Sequence, residues 1–327
     1  CRRAGRHGRA GVRRSSTGPW TVGRARGTDR TGKVLNHIKQ SHRMKGTPMS
    51  APTAMVTGAS RGIGRATAIA LAEAGFDVAI TARTVKEGDA TARTDDPAVV
   101  LPGSLESTAA EIEGRGRRAV QVPLDLLDRD ALWPAVDAAI EGLGHLDVVV
   151  NNAIYVSPAG SRPFLDTDAD EIVKLVWGDF TAQLLLLQRM VGHMVERGGG
   201  TVVNIGSGSG RYKLRRPIGK GGSALTYAAV KAGFHRVADR LANEYGSQGI
   251  VAYTIDPGYV ATERTQLLSN LADVASRGVD PSVVGAAIAW LVTAGPTEVD
   301  NGSYHEAQDI ARALGLLPPL EEKPVKS

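Results

Sequence analysis

The sequence is poor in cysteine: Cys1 is the only one in 327 residues. A single thiol excludes an internal disulfide and a cysteine-based metal cluster, and no metal is expected. There is also no run of 18 apolar residues and no secretory hydrophobic segment, so neither a membrane span nor an export signal is expected. A cytoplasmic protein with no membrane partner follows as the expectation. Acidic residues are scarce in one place only. Residues 1–48 hold 13 Lys/Arg and one acid, Asp29, while the remaining 279 residues carry 26 basic and 33 acidic side chains. The formal charge of +5 therefore comes from the basic segment. The rest is mildly acidic and has no global signature of nucleic-acid binding.

The basic segment has eight glycines and few large apolar residues, too little to bury a core of its own. We expect residues 1–48 to be a disordered extension and residues 49–327 to form one folded domain, with SAPTAMVTG after Met49 at its start. An upstream or expression-derived extension is the plainest reading. A mitochondrial transit peptide and a nucleic-acid-binding arm are the alternatives.

From residue 53 short apolar runs alternate with longer helical stretches. The runs are 53–57, 77–81, 119–124, 146–151, 201–206 and 250–255. The expected helices are 65–74, 105–114, 129–142, 169–197, 227–246 and 281–294. The runs lack strict polar alternation, as suits parallel strands covered on both faces. Six such alternations imply a single-domain α/β fold, a doubly wound parallel sheet of Rossmann type in three layers. Right-handed crossovers would bring every strand's C-terminal end to one edge, where ligands should bind. Residues 84–104 and 208–226 are longer than such units need, which marks them as candidate functional loops.

TGASRGIG (57–64) follows the first run and opens a helix. Gly58 permits a tight turn, and Gly62 and Gly64 permit close approach of backbone to a pyrophosphate at a helix N-terminus. The second run ends in VAITART, with Arg83 where an acid would bind a ribose hydroxyl. Arg83, with Arg61 in the glycine turn, suits a 2′-phosphate and favours NADP(H) over NAD(H). The plainer alternative for Arg83 is a solvated loop residue.

Tyr227 and Lys231 lie four residues apart at an expected helix start and share a face. A free phenol has a pKa of about 10, and a nearby ammonium favours the phenolate. Such a pair can exchange a proton with an alcohol or carbonyl. In order along the chain stand TGASRGIG, NNA (151–153), NIGS (204–207), YAAVK (227–231) and DPGYVAT (256–262). This set resembles the short-chain dehydrogenase/reductase superfamily over nearly all of residues 53–292. A softer likeness, over 84–104 and the following LPGSLESTAAEIE, is to its hydroxysteroid dehydrogenase-like subgroup.

The resemblance implies an NADP(H)-dependent oxidoreductase that interconverts a carbonyl and an alcohol. Tyr227 would be the general acid/base, Lys231 would lower its pKa and bind the nicotinamide ribose, and Ser207 would bond the substrate oxygen. Ser209 is the alternative serine, and Tyr212 is discounted as a second tyrosine because Pro217 disfavours a helix there. The cofactor would meet Gly58, Ser60, Arg61, Gly62, Ile63, Gly64, Arg83, Asp125, Leu126, Asn151, Ala153, Tyr227, Lys231, Pro257, Gly258 and Thr262. Within that set Asp125 would meet the adenine and Asn151 would support the sheet. A homo-oligomer, dimer or tetramer, is also implied, through the apolar faces of 181–194 and 227–245.

The chain departs from the family pattern in three places. Ile154 follows NNA where glycine is usual. Asp179 stands where the family usually has a catalytic Asn, and an ionised Asp cannot donate. The end reads NGSYHEAQDIARALGLLPP, expected to form a short strand and a helix, in place of a glycine-rich closing strand. Asp179 and Ile154 keep open a second reading, a catalytically impaired NADP(H)-binding sensor or scaffold. The stretch between Ser207 and Tyr227 is longer than the family's and carries Arg211, Lys213, Arg215, Arg216 and Lys220. It is either a solvated loop or a cationic rim for an anionic substrate such as an acyl carrier thioester. A hydrophobic substrate is the other expectation.

Overall fold

The computed structural model describes residues 51–89, 100–213, 217–218, 222–267, 271–294 and 298–319. The expected disordered extension at 1–48 and the basic residues Arg215, Arg216 and Lys220 lie outside these. The strands are β1 (Thr53–Thr57), β2 (Asp77–Ala82), β3 (Ala119–Pro123), β4 (Val148–Asn151), β5 (Gly200–Ile205), β6 (Ile250–Asp256) and β7 (Tyr304–Glu306). They form one parallel sheet in the order β3-β2-β1-β4-β5-β6-β7. The order reverses between β1 and β4, so the loops leaving these two strands diverge and open a crevice at the C-terminal edge.

Successive strand residues point to opposite faces, and both faces are apolar. Val56, Ile80, Val150, Val203 and Ile255 pack on one side with α1 (Gly62–Glu73), α2 (Leu105–Glu113) and α11 (Pro281–Ala294). Met55, Ala79, Val149, Val202 and Ala252 pack on the other with α3 (Leu132–Leu143), α5 (Ala182–Glu196) and α8 (Arg236–Tyr245). The apolar side of α5, Leu186, Met190 and Met194, is therefore spent on the core, and Leu184 is its exposed large apolar residue. Among the described residues no helix is long and apolar enough to cross a membrane.

Two expected helices are interrupted. The stretch expected at 169–197 divides into α4 (Ala169–Val176), a π turn (Trp177–Thr181) and α5. In that turn the Ala182 N–H bonds to Trp177 O, five residues back. The stretch expected at 227–246 begins at Leu225 and breaks at His235 into α7 (Leu225–Phe234) and α8. Apolar periodicity carries no signal for either break, since neither interrupts the buried face. A one-turn helix, α6 (Gly208–Arg211), follows β5. Tyr212 closes it and donates its hydroxyl to Glu306 Oε1 at 2.5 Å, so this tyrosine is tied to the sheet edge. After β6 come α9 (Glu263–Leu267) and α10 (Ala272–Arg277), and β7 leads into α12 (Ala307–Ala313) as the expected closing strand and helix.

Helices α1 and α11 cross tightly. A Cβ built on Gly285 would stand 2.6 Å from Ala66 O, a backbone atom with no rotamer to move aside. Gly285→Val should lower the unfolding free energy by about 1–3 kcal/mol in denaturant titration. Gly192→Ala, where a Cβ meets nothing within 4 Å, should hold or raise it.

Candidate active site

The glycine turn after β1 is built for close approach. Gly58 has φ +69°, and a Cβ there would lie 2.8 Å from Ala153 Cα. On Gly64 a Cβ would lie 2.3 Å from Gly58 O. Asn152 locks this turn to β4: its Nδ2 donates to Thr57 O at 2.8 Å and to Gly58 O at 3.2 Å. Asn151, the expected support, makes no such bond, because its position in β4 turns its amide into the sheet core without a protein partner. The supporting role falls to the next residue of the same motif, where the strand has ended and the side chain faces the turn. Ser60 is buried in the turn, and Ile63 packs on the core.

Gly62, at the start of α1, donates its N–H to Glu263 Oε2 at 2.9 Å. A carboxylate thus stands on the amide that would receive a phosphate, and the donor set accepts an anion. Thr262 closes over the same point, with its Cγ2 3.2 Å from where a Gly62 Cβ would be. The end of DPGYVAT, with Glu263 after it, and the TGASRGIG turn therefore meet at the C-terminal edge of the sheet. Gly258, at φ +68°, bonds Asp256 Oδ1 at 2.9 Å, and Gln308 Nε2 holds Pro257 O at 3.2 Å.

Arg61 is more engaged than its sequence position suggests. Its Nε donates to Pro102 O at 2.8 Å and its Nη2 to Gly103 O at 2.6 Å, which ties the loop before α2 to the glycine turn. Arg264, which no motif singles out, has its pKa lowered to about 10 by burial first and then by Arg61 and Arg83. Three guanidiniums thus lie in one another's field beside the end of β2, with the Glu263 and Glu87 carboxylates also acting on Arg61. Such a cluster is held apart by like charge and favours a multiply charged anion. Asp125 accepts the Leu127 N–H at 3.0 Å and so shapes the turn after β3, and Leu126 O accepts from Trp177 Nε1 at 2.9 Å.

The second cluster lies at the end of β5. Lys231 is buried, and its Nζ donates to Ile205 O at 3.0 Å, two residues before Ser207. The same Nζ lies 6.0 Å from the centroid of the half-buried Tyr227 ring. Ser207 caps α6, its Oγ accepting from Ser209 N at 3.3 Å, and its own N–H donates to His235 Nε2 at 3.0 Å. Gly210 brings α6 against α7, since a Cβ there would be 2.5 Å from the Lys231 carbonyl carbon. The serine, tyrosine and lysine therefore belong to one packed unit. Arg211, from the basic insertion, lies over the Tyr304 ring at 3.8 Å, while Lys213 is exposed.

Asp179 sits in the π turn, is buried and accepts the Tyr155 N–H at Oδ1 at 2.5 Å. Burial pushes its carboxyl up to about 6, against the pull of Lys231 and of that N–H. Gln183, one turn on, ties the loop after β4 to the π turn through bonds from Nε2 to Ala153 O at 2.8 Å and to Gly178 O at 3.1 Å. Ile154 is 46% exposed on that loop, in a position where its side chain meets solvent.

A family model described as short chain dehydrogenase matches residues 52–101 and 96–271. Gluconate 5-dehydrogenase of Gluconobacter oxydans is 30% identical over 67% of this chain and 75% of its own length. L-rhamnose 1-dehydrogenase (NAD(P)(+)) of a Sphingomonas species is 34% identical over 64% of this chain and 73% of its own. Among solved structures, acetoin dehydrogenase of Enterobacter cloacae superposes with a TM-score of 0.63 at 28% identity, covering 85% of this chain and 100% of that one.

The raised carboxyl of Asp179 has a sign that can be checked. The fold favours the protonated form, so Asp179 costs nothing below the ordinary carboxyl value of about 4 and destabilises the protein as pH rises through its folded value. Asp179→Asn keeps an oxygen for the Tyr155 N–H and removes the ionisation. In denaturant unfolding it should gain on the order of 1–3 kcal/mol at about pH 8 and almost nothing at about pH 4. An equal gain at both values would assign the effect to packing.

Proposed function

Because the chain belongs to the short-chain dehydrogenase family, an oxidoreductase family acting on CH–OH groups, we propose that it interconverts a carbonyl and an alcohol with NADP(H) through Ser207, Tyr227 and Lys231. One observation carries this reading. Lys231 is buried, bonded to Ile205 O at the end of β5, and placed on one stripe of α7 with Tyr227, while Ser207 follows two residues after that strand end. A phenol with an ammonium on the same helix stripe beside a serine is the set of groups that proton exchange with a substrate oxygen needs.

Ser207 would donate to the substrate oxygen and hold it against Tyr227, and Tyr227 would give the proton to the alkoxide in reduction or take it from the alcohol in oxidation. Bound NADP(H) supplies or accepts the hydride. The residues present fit it. The Gly58–Gly64 turn and the Gly62 N–H suit its pyrophosphate, the Glu263 carboxylate being the anion that holds that place. Arg61, Arg83 and Arg264 favour its 2′-phosphate over a bare ribose hydroxyl. The name of the rhamnose relative includes both nicotinamide cofactors, so the preference of this chain rests on its own arginines.

For the substrate we favour a hydrophobic carbonyl or an acyl thioester. Exposed Ile154, Leu225 and Tyr259, at the ends of β4 and β6 and the start of α7, give the strand edge an apolar rim. A homo-oligomer in the cytoplasm completes the reading, with the outer surface of α3 and α5 around exposed Trp133 and Leu184 as the face available for association.

Tyr227→Phe should lower kcat about 10²–10⁴-fold and leave the NADPH Kd within about twofold. The assay set is ketones, 3-oxoacyl thioesters, steroids, and the gluconate and L-rhamnose that the relatives' names carry. Full turnover by the variant would remove Tyr227 from the chemistry. Separately, Arg83→Asp should weaken NADPH at least about tenfold and improve NADH, read by titration calorimetry. An unchanged ratio would take the 2′-phosphate away from Arg83.

A further inference from the structure

Tyr227, Lys231 and His235 recur every four residues, so the stripe of α7 that carries the proposed chemistry has a third member. His235 stands at the break between α7 and α8. Its Nε2 accepts the Ser207 N–H at 3.0 Å, while Lys231 Nζ donates to Ile205 O at 3.0 Å. Gly206 lies between these two contacts and donates its own N–H to Ile255 O at 2.8 Å. A Cβ on Gly206 would come within 2.9 Å of His235 Nε2, so glycine is what lets the imidazole reach the peptide. One helix face thus grips the end of β5 on both sides of Gly206.

Only the neutral ring with its hydrogen on Nδ1 can accept at Nε2. Burial holds the imidazole below its ordinary pKa; Asp256 opposes this, and Lys231 and Arg211 add to it. Those groups face the ring from β6, α7 and α6. From β7 comes Tyr304, whose ring lies 5.3 Å away and whose hydroxyl donates to Asp256 Oδ2 at 2.9 Å.

We propose that His235 is a positioning residue: neutral, it holds Ser207 by the backbone N–H, and protonated, it releases it. The inference rests on the reading of Ser207, Tyr227 and Lys231 as the catalytic group. Protonation places a hydrogen on Nε2, so two donors face each other where a bond stood. The Ser207 backbone then shifts, and its hydroxyl loses the frame that aims it at a substrate oxygen. The bond is intact above the free-imidazole pKa of about 6.5 and is lost as pH falls through the lower folded value.

The first measurement needs no substrate. Nitrogen-15 NMR of the full chain, titrated with acid, should show an unprotonated Nε2 on His235 near neutral pH. The Ser207 amide should move with the same midpoint as that ring, and in His235→Gln it should cease to titrate. An Nε2–H tautomer near neutral pH, or a Ser207 amide indifferent to the ring, would overturn the proposal. The second measurement uses whichever carbonyl of the assay set is reduced with NADPH. His235→Leu should lower kcat about 10- to 100-fold, with the NADPH KM within about twofold. His235→Gln, whose amide oxygen can accept the same N–H, should restore most of that rate and remove part of the acid limb of the pH profile. In a Ser207→Ala background His235→Leu should add no further loss, since the two act as one unit. A full additional loss there would mean that His235 does not act through Ser207. Failure of every carbonyl to react would defeat the functional reading and leave the NMR result to decide the role of His235.

Discussion

A buried ammonium has to be satisfied, and the β5–α7 half of the site is arranged around that of Lys231. Removing such a charge from water costs several kcal/mol unless hydrogen bonds and opposite charge replace its hydration. Here the Ile205 carbonyl supplies the bond and Asp179 supplies the field. Each requirement positions something else. The carbonyl belongs to the last residue of β5, so α7 must lie against that strand end, and Ser207 follows two residues on. The carboxylate comes from a π turn, whose extra residue sets Asp179 inward where it also receives the Tyr155 N–H.

The other half of the site is organised to receive negative charge. Gly62 offers an N–H at the start of α1 and Glu263 takes it, while Arg61, Arg83 and Arg264 share a region with mutual repulsion. A helix end and three guanidiniums together suit a phosphate-bearing ligand such as a dinucleotide. The reversal of strand order between β1 and β4 opens the crevice that admits it. The acidic character of the folded part leaves this cationic patch as a local feature, and Arg211 of the basic insertion is committed instead to the Tyr304 ring.

Much of the fold was legible in advance. β1 is TAMVT as expected, α11 runs from 281 to 294 as expected, and the other strand limits moved by one or two residues. Buried parallel strands declare themselves by unbroken β-branched runs, and glycine and proline mark their ends. The two helix interruptions were hidden, since a π turn and a one-residue break leave the apolar stripe in place. The support expected of Asn151 came instead from Asn152, because the strand's last residue decides which of two identical side chains faces the turn.

Local order along the chain by itself determined the class of fold, the glycine turn, and the Tyr227–Lys231 pair, because each depends on spacing within one element or at its end. Spacing says nothing about what lies across the sheet. The placement of Glu263 on Gly62, of Arg264 beside Arg61 and Arg83, and of His235 under Ser207 was decided only by tertiary structure. These contacts join residues from 28 to about 200 positions apart, and only the assembled parallel sheet brings all their strand ends to one edge.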